Sequence, residues 1–215
     1  MNPEEASYPP APWRSAGTMW AAELTAQKKL SVPRGLSILG DPRRLVVLLV
    51  RYREGAVTYD EFMVTSPARA GFRPGLWIHA IWVDSSASLA GGRHIWGVPK
   101  ELARFEWDGP ATRIFDHRGP IAGFRFGPSG RHTPRLPALA PGFGHHQHLM
   151  YFAGRLTGHI ARQPMHLTKW SHRLPGTVAE TAKRSFVIDS FHMTVPAPRT
   201  VRDRTAWSSA GVPGK

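Results

Sequence analysis

The 215-residue sequence predicts a mainly β (α+β) domain, built as a closed or nearly closed antiparallel barrel with a few short helices. Three observations predict it. The apolar runs are short and rich in valine, isoleucine and aromatic residues, a composition that suits a pleated, half-buried strand. Turn signals such as Glu54-Gly55, Asp108-Gly109-Pro110 and Arg118-Gly119-Pro120 recur between them. Segments of helical character are few.

Taken in order, the proline-rich start reads as an arm reaching to about residue 14, and residues 21–29 have a helix-forming composition. Residues 45–52 form a continuous apolar strand, too short and too β-branched to prefer a helix, and residues 56–64 are its hairpin partner. Residues 76–83 mix tryptophan, isoleucine and histidine in the manner of a half-buried strand, and a short helix is expected after Asp84-Ser85. Residues 104–107, 112–117 and 121–126 are three short strands. Residues 149–162 and 186–195 complete the sheet, a helix is expected over 177–183, and residues from about 199 to 215 read as a loose tail. There is no internal repeat and no Gly-rich phosphate loop.

Composition bounds the function. One domain over residues 1–215 is the expectation for this length, and 41% hydrophobic content is ordinary for a globular chain. No apolar run approaches the ~20 residues that span a bilayer, and no basic-then-apolar leader opens the chain, so no membrane partner and a cytoplasmic location are expected. Cysteine is absent, which removes disulfides and thiolate chemistry. The net charge of +13 raises nucleic-acid binding, but the arginines are scattered and the densest basic pairs (Lys28-Lys29, Arg43-Arg44, Lys183-Arg184) are not extended. No nucleic acid is therefore expected; the excess positive charge suits carboxylate- or phosphate-bearing substrates.

The residue that carries chemistry is Lys100, one of few lysines in an arginine-rich chain, at the end of Gly91-Gly92-Arg93-His94-Ile95-Trp96-Gly97-Val98-Pro99-Lys100. A lysine in an apolar pocket can lose its proton and attack a carbonyl to form an imine. Gly97 and Pro99 would fix the backbone and aim the side chain. The alternative is a solvated Pro-Lys-Glu turn. Gly144-His145-His146-Gln147-His148 is the other conspicuous string: on a strand His146 and His148 would share a face, but a metal would need a third ligand, with His159 or His166 as the only candidates, and no metal is expected.

The segment from Ile81-Trp82-Val83-Asp84 through Gly92-Arg93-His94 to Gly97-Val98-Pro99-Lys100-Glu101-Leu102-Ala103 resembles the core motif of the acetoacetate decarboxylase family. Tyr59-Asp60-Glu61 resembles that family's Tyr-x-Glu, residues 186–198 its closing strand, and Tyr8-Pro9-Pro10-Ala11-Pro12-Trp13 the start of a short, divergent branch. The resemblance implies a cone-shaped barrel with Lys100 pointing inward as the imine-forming residue, Glu61 as its active-site glutamate, and a homo-oligomer. Arg93 matches the family's Gly-Arg arginine and would clamp a substrate carboxylate or form an ion pair with Glu101 or Asp84. His94 stands where the family has a glutamate, as a proton shuttle or a hydrogen-bonded wall residue. Trp82 and Trp96, with Trp77, would supply the apolar wall, or plain core. Glu101 replaces the family's second lysine and, if close, would work against deprotonation of Lys100. The strand over 45–50 lacks the family's second glutamate.

These residues point away from acetoacetate itself and toward a Schiff-base-forming lyase acting on a 2-oxo or 3-oxo acid, decarboxylation of a β-keto acid coming first. The alternatives are an aldolase-dehydratase or hydratase on a 2-oxo acid, and a barrel that binds or cyclises an apolar, polyketide-like product of secondary metabolism without an imine. No cofactor is expected, because the lysine does the work of one.

Overall fold

The computed structural model describes residues 6–175, 182 and 184–201. Its elements run β1 (Trp13–Thr25), β2 (Ser37–Ile38), β3 (Arg44–Gly55), β4 (Tyr59–Ala70), β5 (Arg73–Val83), α1 (Ser86–Gly91) with a π-helical turn over Gly92–Trp96, β6 (Lys100–Leu102), β7 (Arg104–Asp108), β8 (Ala111–Asp116), β9 (Gly119–Phe126), β10 (Leu136–His145), β11 (Leu149–Arg162), β12 (Met165–Trp170), β13 (Arg184–Val195) and β14 (Arg199–Thr200). Strands β4-β3-β1-β13-β11-β10-β5 are neighbours in that order, and β5 pairs again with β4, which closes the barrel. Every seam among these seven strands is antiparallel except that between β5 and β10, a parallel contact at Leu76↔Gly142 and Trp77↔Phe143. A second sheet, β12-β9-β8-β7, packs against the outside.

The run that reads as continuously apolar, residues 45–50, is fully buried on its outward face and buried or half-buried on its inward face. Leu45, Val47 and Leu49 point outward with Phe62, Val64 and Trp82 against Ile114, Ile121 and Phe124 of the small sheet. Val50 and Tyr52 point inward, where Met19, Tyr59, Val83, Leu156 and Phe191 meet from around the barrel. With neither face left to water, the sequence shows no polar alternation.

Three expectations are corrected. Residues 21–29 are not helical: β1 runs through Thr25, paired to β3 from Ser15↔Gly55 to Thr25↔Arg44 and to β13 on its other side. Ladder bonds and burial of Ala22 and Leu24 on both flanks outweigh the helix preference of Ala-Ala-Glu-Leu. For the same reason the N-terminal arm ends before Trp13, whose indole is core. The expected helix after Asp84-Ser85 is α1, with the Ser85 side chain accepting a hydrogen bond from the Ser88 N–H at its start. Arg199–Thr200 pairs with Met150 and Tyr151 rather than lying loose. The helix expected over 177–183 falls, apart from Ala182, outside the described residues. Among the described residues no helix is long and apolar enough to cross a membrane.

Candidate active site

The chain leaves β5 at Val83, turns through α1 and its wide last turn, and returns as β6 beside β5 with Lys100 in register with Ile81. The turn ends at Gly97, whose φ of 65° and whose packing on the His145 backbone, 2.9 Å from where a Cβ would stand, both demand glycine. Lys100 is then fixed along its length. Arg93 Nε donates to its carbonyl at 2.8 Å. Its stem lies on Gly92, where a Cβ would come 2.5 Å from Lys100 Cδ.

The head of Lys100 is inside the barrel. Nζ donates to Glu61 Oε2 and to Ser88 Oγ, both at 2.8 Å, and stands 4.9 Å from the centre of the Tyr59 ring. The side chains of Lys100 and Glu61 are 5% and 4% exposed. The second carboxylate oxygen, Glu61 Oε1, accepts from the Tyr52 hydroxyl at 3.1 Å, and Tyr52 stacks on Tyr59 with ring centres 4.4 Å apart. Burial, and after it the charge of Glu61, pushes both phenols well above their ordinary range, so both keep their protons and remain donors. Val50, Val83, Leu89 and Phe191 enclose the group. The arrangement is an amine, a carboxylate and three hydroxyls in a site almost closed to water.

Of the residues singled out in the sequence, the fold brings Lys100 and Glu61 into contact. Arg93 reaches the lysine only through its backbone and faces, with His145, His146 and Glu101, an outer cleft of about 350 Å³. Glu101 does not neighbour the amine: the strand alternation turns it outward, to Arg118 at 3.0 Å. His94 is on the outside, its ring 3.1 Å from the Tyr8 hydroxyl. Trp82 faces the small sheet, stacked on Phe62, because it lies one residue out of phase with Ile81 and Val83. Trp96 meets Trp13 edge-on at 4.8 Å and donates to the Pro196 carbonyl. Trp77 packs in a separate cluster around Phe143. The aromatic wall of the amine is therefore Tyr59, with Tyr52 behind it. His145 ends β10, and His146–His148 form the turn into β11, so His146 and His148 share no strand face; among the described residues no three His, Cys, Asp or Glu side chains group to hold a metal. Sequence reasoning missed Ser88, Tyr52 and Gly92; only the spacing of Ser88 behind the Ser85 cap hints that it faces inward.

The family model for acetoacetate decarboxylase matches residues 1–146. An acetoacetate decarboxylase of Acidiphilium cryptum is 33% identical over 73 residues, 34% of this chain and 30% of that one. Acetoacetate decarboxylase 1 of Bradyrhizobium diazoefficiens is 31% identical over 106 residues, 46% of this chain and 41% of its own. Both alignments span less than half of the relatives' length. Among solved structures, the enduracididine biosynthesis enzyme MppR in complex with pyruvate superposes with a TM-score of 0.71 at 16% identity, covering 93% of this chain and 94% of that one. Acetoacetate decarboxylase from Legionella pneumophila gives 0.69 at 18% identity, covering 93% and 91%. These two share the fold. The family model spans most of the barrel and the whole turn from Asp84 to Lys100, and the chain belongs to the acetoacetate decarboxylase family.

Proposed function

We propose that the protein is a Schiff-base-forming lyase acting on a small 2-oxo or 3-oxo acid, with decarboxylation of a β-keto acid as its reaction. The observation that carries this reading is the 2.8 Å contact between Lys100 Nζ and Glu61 inside a closed barrel. Glu61 takes a proton from Nζ and the amine adds to the ketone carbon. The carbinolamine hydroxyl takes the proton held by Glu61 and leaves as water, and a protonated imine remains. With a β-keto acid the bond to the carboxylate breaks, its electron pair moves into the C=N⁺ group, and carbon dioxide leaves an enamine. Decarboxylation consumes one proton from solvent, which Glu61 takes up and passes to the enamine carbon, and water then releases the ketone. The apolar surroundings favour loss of a carboxylate charge. With a 2-oxo acid the same electron sink would serve aldol addition and dehydration; the pyruvate bound by MppR supports that branch.

A second reading is favoured by one observation: Lys100 is the only lysine or arginine among the buried polar side chains described, so an acid's carboxylate meets no second buried cation. An uncharged, apolar carbonyl compound would suit such a chamber, with Lys100 as a charge and not a nucleophile. Incubation with a panel of 2-oxo and 3-oxo acids and borohydride, read by intact mass, separates the two. Imine chemistry gives an adduct that is lost in Lys100→Ala and in Lys100→Arg, with turnover falling about a thousandfold or more. Absence of any adduct on the wild-type protein overturns it and leaves the apolar-ligand reading, which Lys100→Arg would leave largely intact.

A further inference from the structure

Lys100 Nζ has two hydrogen-bond acceptors in the chamber, Glu61 Oε2 and Ser88 Oγ, each at 2.8 Å. An ammonium has three N–H bonds and can serve both. A protonated imine has one. Formation of the imine must therefore release one acceptor. Charge decides which: the carboxylate stays with the cationic imine, since separating them in a buried site costs far more than releasing a hydroxyl. Ser88 Oγ, 2.8 Å from Nζ, is then left beside the carbon that Nζ has just joined. Ser88 is fully buried, and its backbone is held because its N–H donates to the Ser85 side chain at the start of α1.

Resting on the imine reading above, we propose that Ser88 is a catalytic residue that relays a proton from the Lys100 nitrogen to the departing hydroxyl. The step balances. Between ammonium and imine the nitrogen gives up two hydrogens, and both leave with the carbonyl oxygen as water. Glu61 carries one of them. Ser88 carries the other, accepting it from nitrogen at Oγ while giving its own hydroxyl proton to the oxygen, so that the serine ends as it began. The C–O bond breaks, the nitrogen lone pair becomes the second C=N bond, and no further reactant is needed. The reverse relay delivers water when the product imine is hydrolysed.

The experiment is rapid-quench borohydride trapping with pyruvate and with acetoacetate as probes, read as intact mass against time for wild type, Ser88→Ala and Ser88→Thr. Ser88→Ala is expected to reach the wild-type final extent of adduct on Lys100 at a rate about 10- to 100-fold lower, because general acid–base help is withdrawn and the nucleophile is not. Ser88→Thr, which keeps the hydroxyl, should stay within about fivefold of wild type. The solvent deuterium isotope effect on trapping should differ between wild type and Ser88→Ala. A wild-type rate in Ser88→Ala overturns the proposal and leaves the imine reading standing. A fall in final extent that tracks a lowered melting temperature assigns Ser88 to structure alone and overturns it as well. No adduct on the wild-type protein with either probe overturns the imine reading, and this proposal with it.

Discussion

Glu61 and its neighbour Asp60 are adjacent on β4 and point to opposite sides of the same barrel wall. Both are buried carboxylates, 3% and 5% exposed, and both are ion-paired. Their partners differ. Asp60, on the outside, receives Arg53 at 2.7 Å, Arg51 at 3.7 Å and the Trp107 indole N–H at 2.7 Å. Guanidinium groups keep their protons at any working pH, so none of these partners can pass one to Asp60. They fasten the small sheet to the barrel through Trp107, over which Arg51 also lies at 4.2 Å. Glu61, on the inside, faces a single lysine and a phenol, and a lysine can give up its proton and then act as a nucleophile. The same wall thus carries a clamp on one face and, on the proposed reading, a proton-exchanging pair on the other.

The comparison is broken most easily by substituting both carboxylates. Glu61→Gln should slow imine trapping about 100-fold, since the proton acceptor is gone. Glu61→Ala leaves the buried ammonium of Lys100 unpaired and should cost about 3–5 kcal/mol of stability, whereas the double replacement Glu61→Leu with Lys100→Met should recover most of it while forming no adduct. Asp60→Asn should keep trapping within about threefold of wild type and cost about 1–3 kcal/mol in denaturant unfolding. Equal loss of trapping in Glu61→Gln and Asp60→Asn would erase the distinction.

Parts of this arrangement are written locally in the chain and parts are not. Residues 45–52 read as a strand because neither face is left to water, one being buried and the other partly so, and Lys100 stands out through the Gly-x-Pro that sets its backbone. Residues 136–145 were not legible as a strand, since Leu136-Pro137-Ala138-Leu139-Ala140-Pro141-Gly142 carries two prolines. β10 tolerates them because its first residues pair on one side only, with β11, and pairing to β5 is confined to Gly142 and Phe143. Glu101 looked like a neighbour of Lys100 because it is one in sequence; the pleat puts it on the other face, with Arg118. Tyr52 and Ser88 reach the amine from separate elements, β3 and α1, and only closure of the barrel brings them there.

A smaller effect tests the lysine's stem. Gly92→Ala would put a methyl 2.5 Å from Lys100 Cδ and 2.6 Å from Cε, so the side chain must shift away from Glu61 and Ser88. A slowing of trapping by about tenfold, with about 1–3 kcal/mol of overpacking cost, is expected. By contrast Gly109→Ala, at a turn with φ of 51° and nothing within 4 Å, should strain its turn without touching the trapping rate. A normal rate in Gly92→Ala would show that the stem does not depend on this contact.

The smallest expected effects are in the acid range and belong to the structural side of the comparison. Hydrogen bonding from Arg173, with further help from Arg118, holds the Asp116 carboxyl down at about 2. A depressed carboxyl stabilises the fold fully above its unfolded value of about 4 and loses that contribution as pH falls through about 2. Burial alone pushes His79, 2.9 Å from the Ser66 hydroxyl, down to about 4. Its neutral form is the one the fold favours, so its contribution is complete above about 6.5 and is lost as pH falls through about 4. The two windows meet but do not overlap. Melting temperature against pH should therefore decline in two stages, and Arg173→Gln should flatten only the lower one. Flattening above pH 4 as well would mean that the Asp116 pair and the barrel wall around His79 are energetically linked, and the separation between clamp and chamber would then be less complete than the geometry implies.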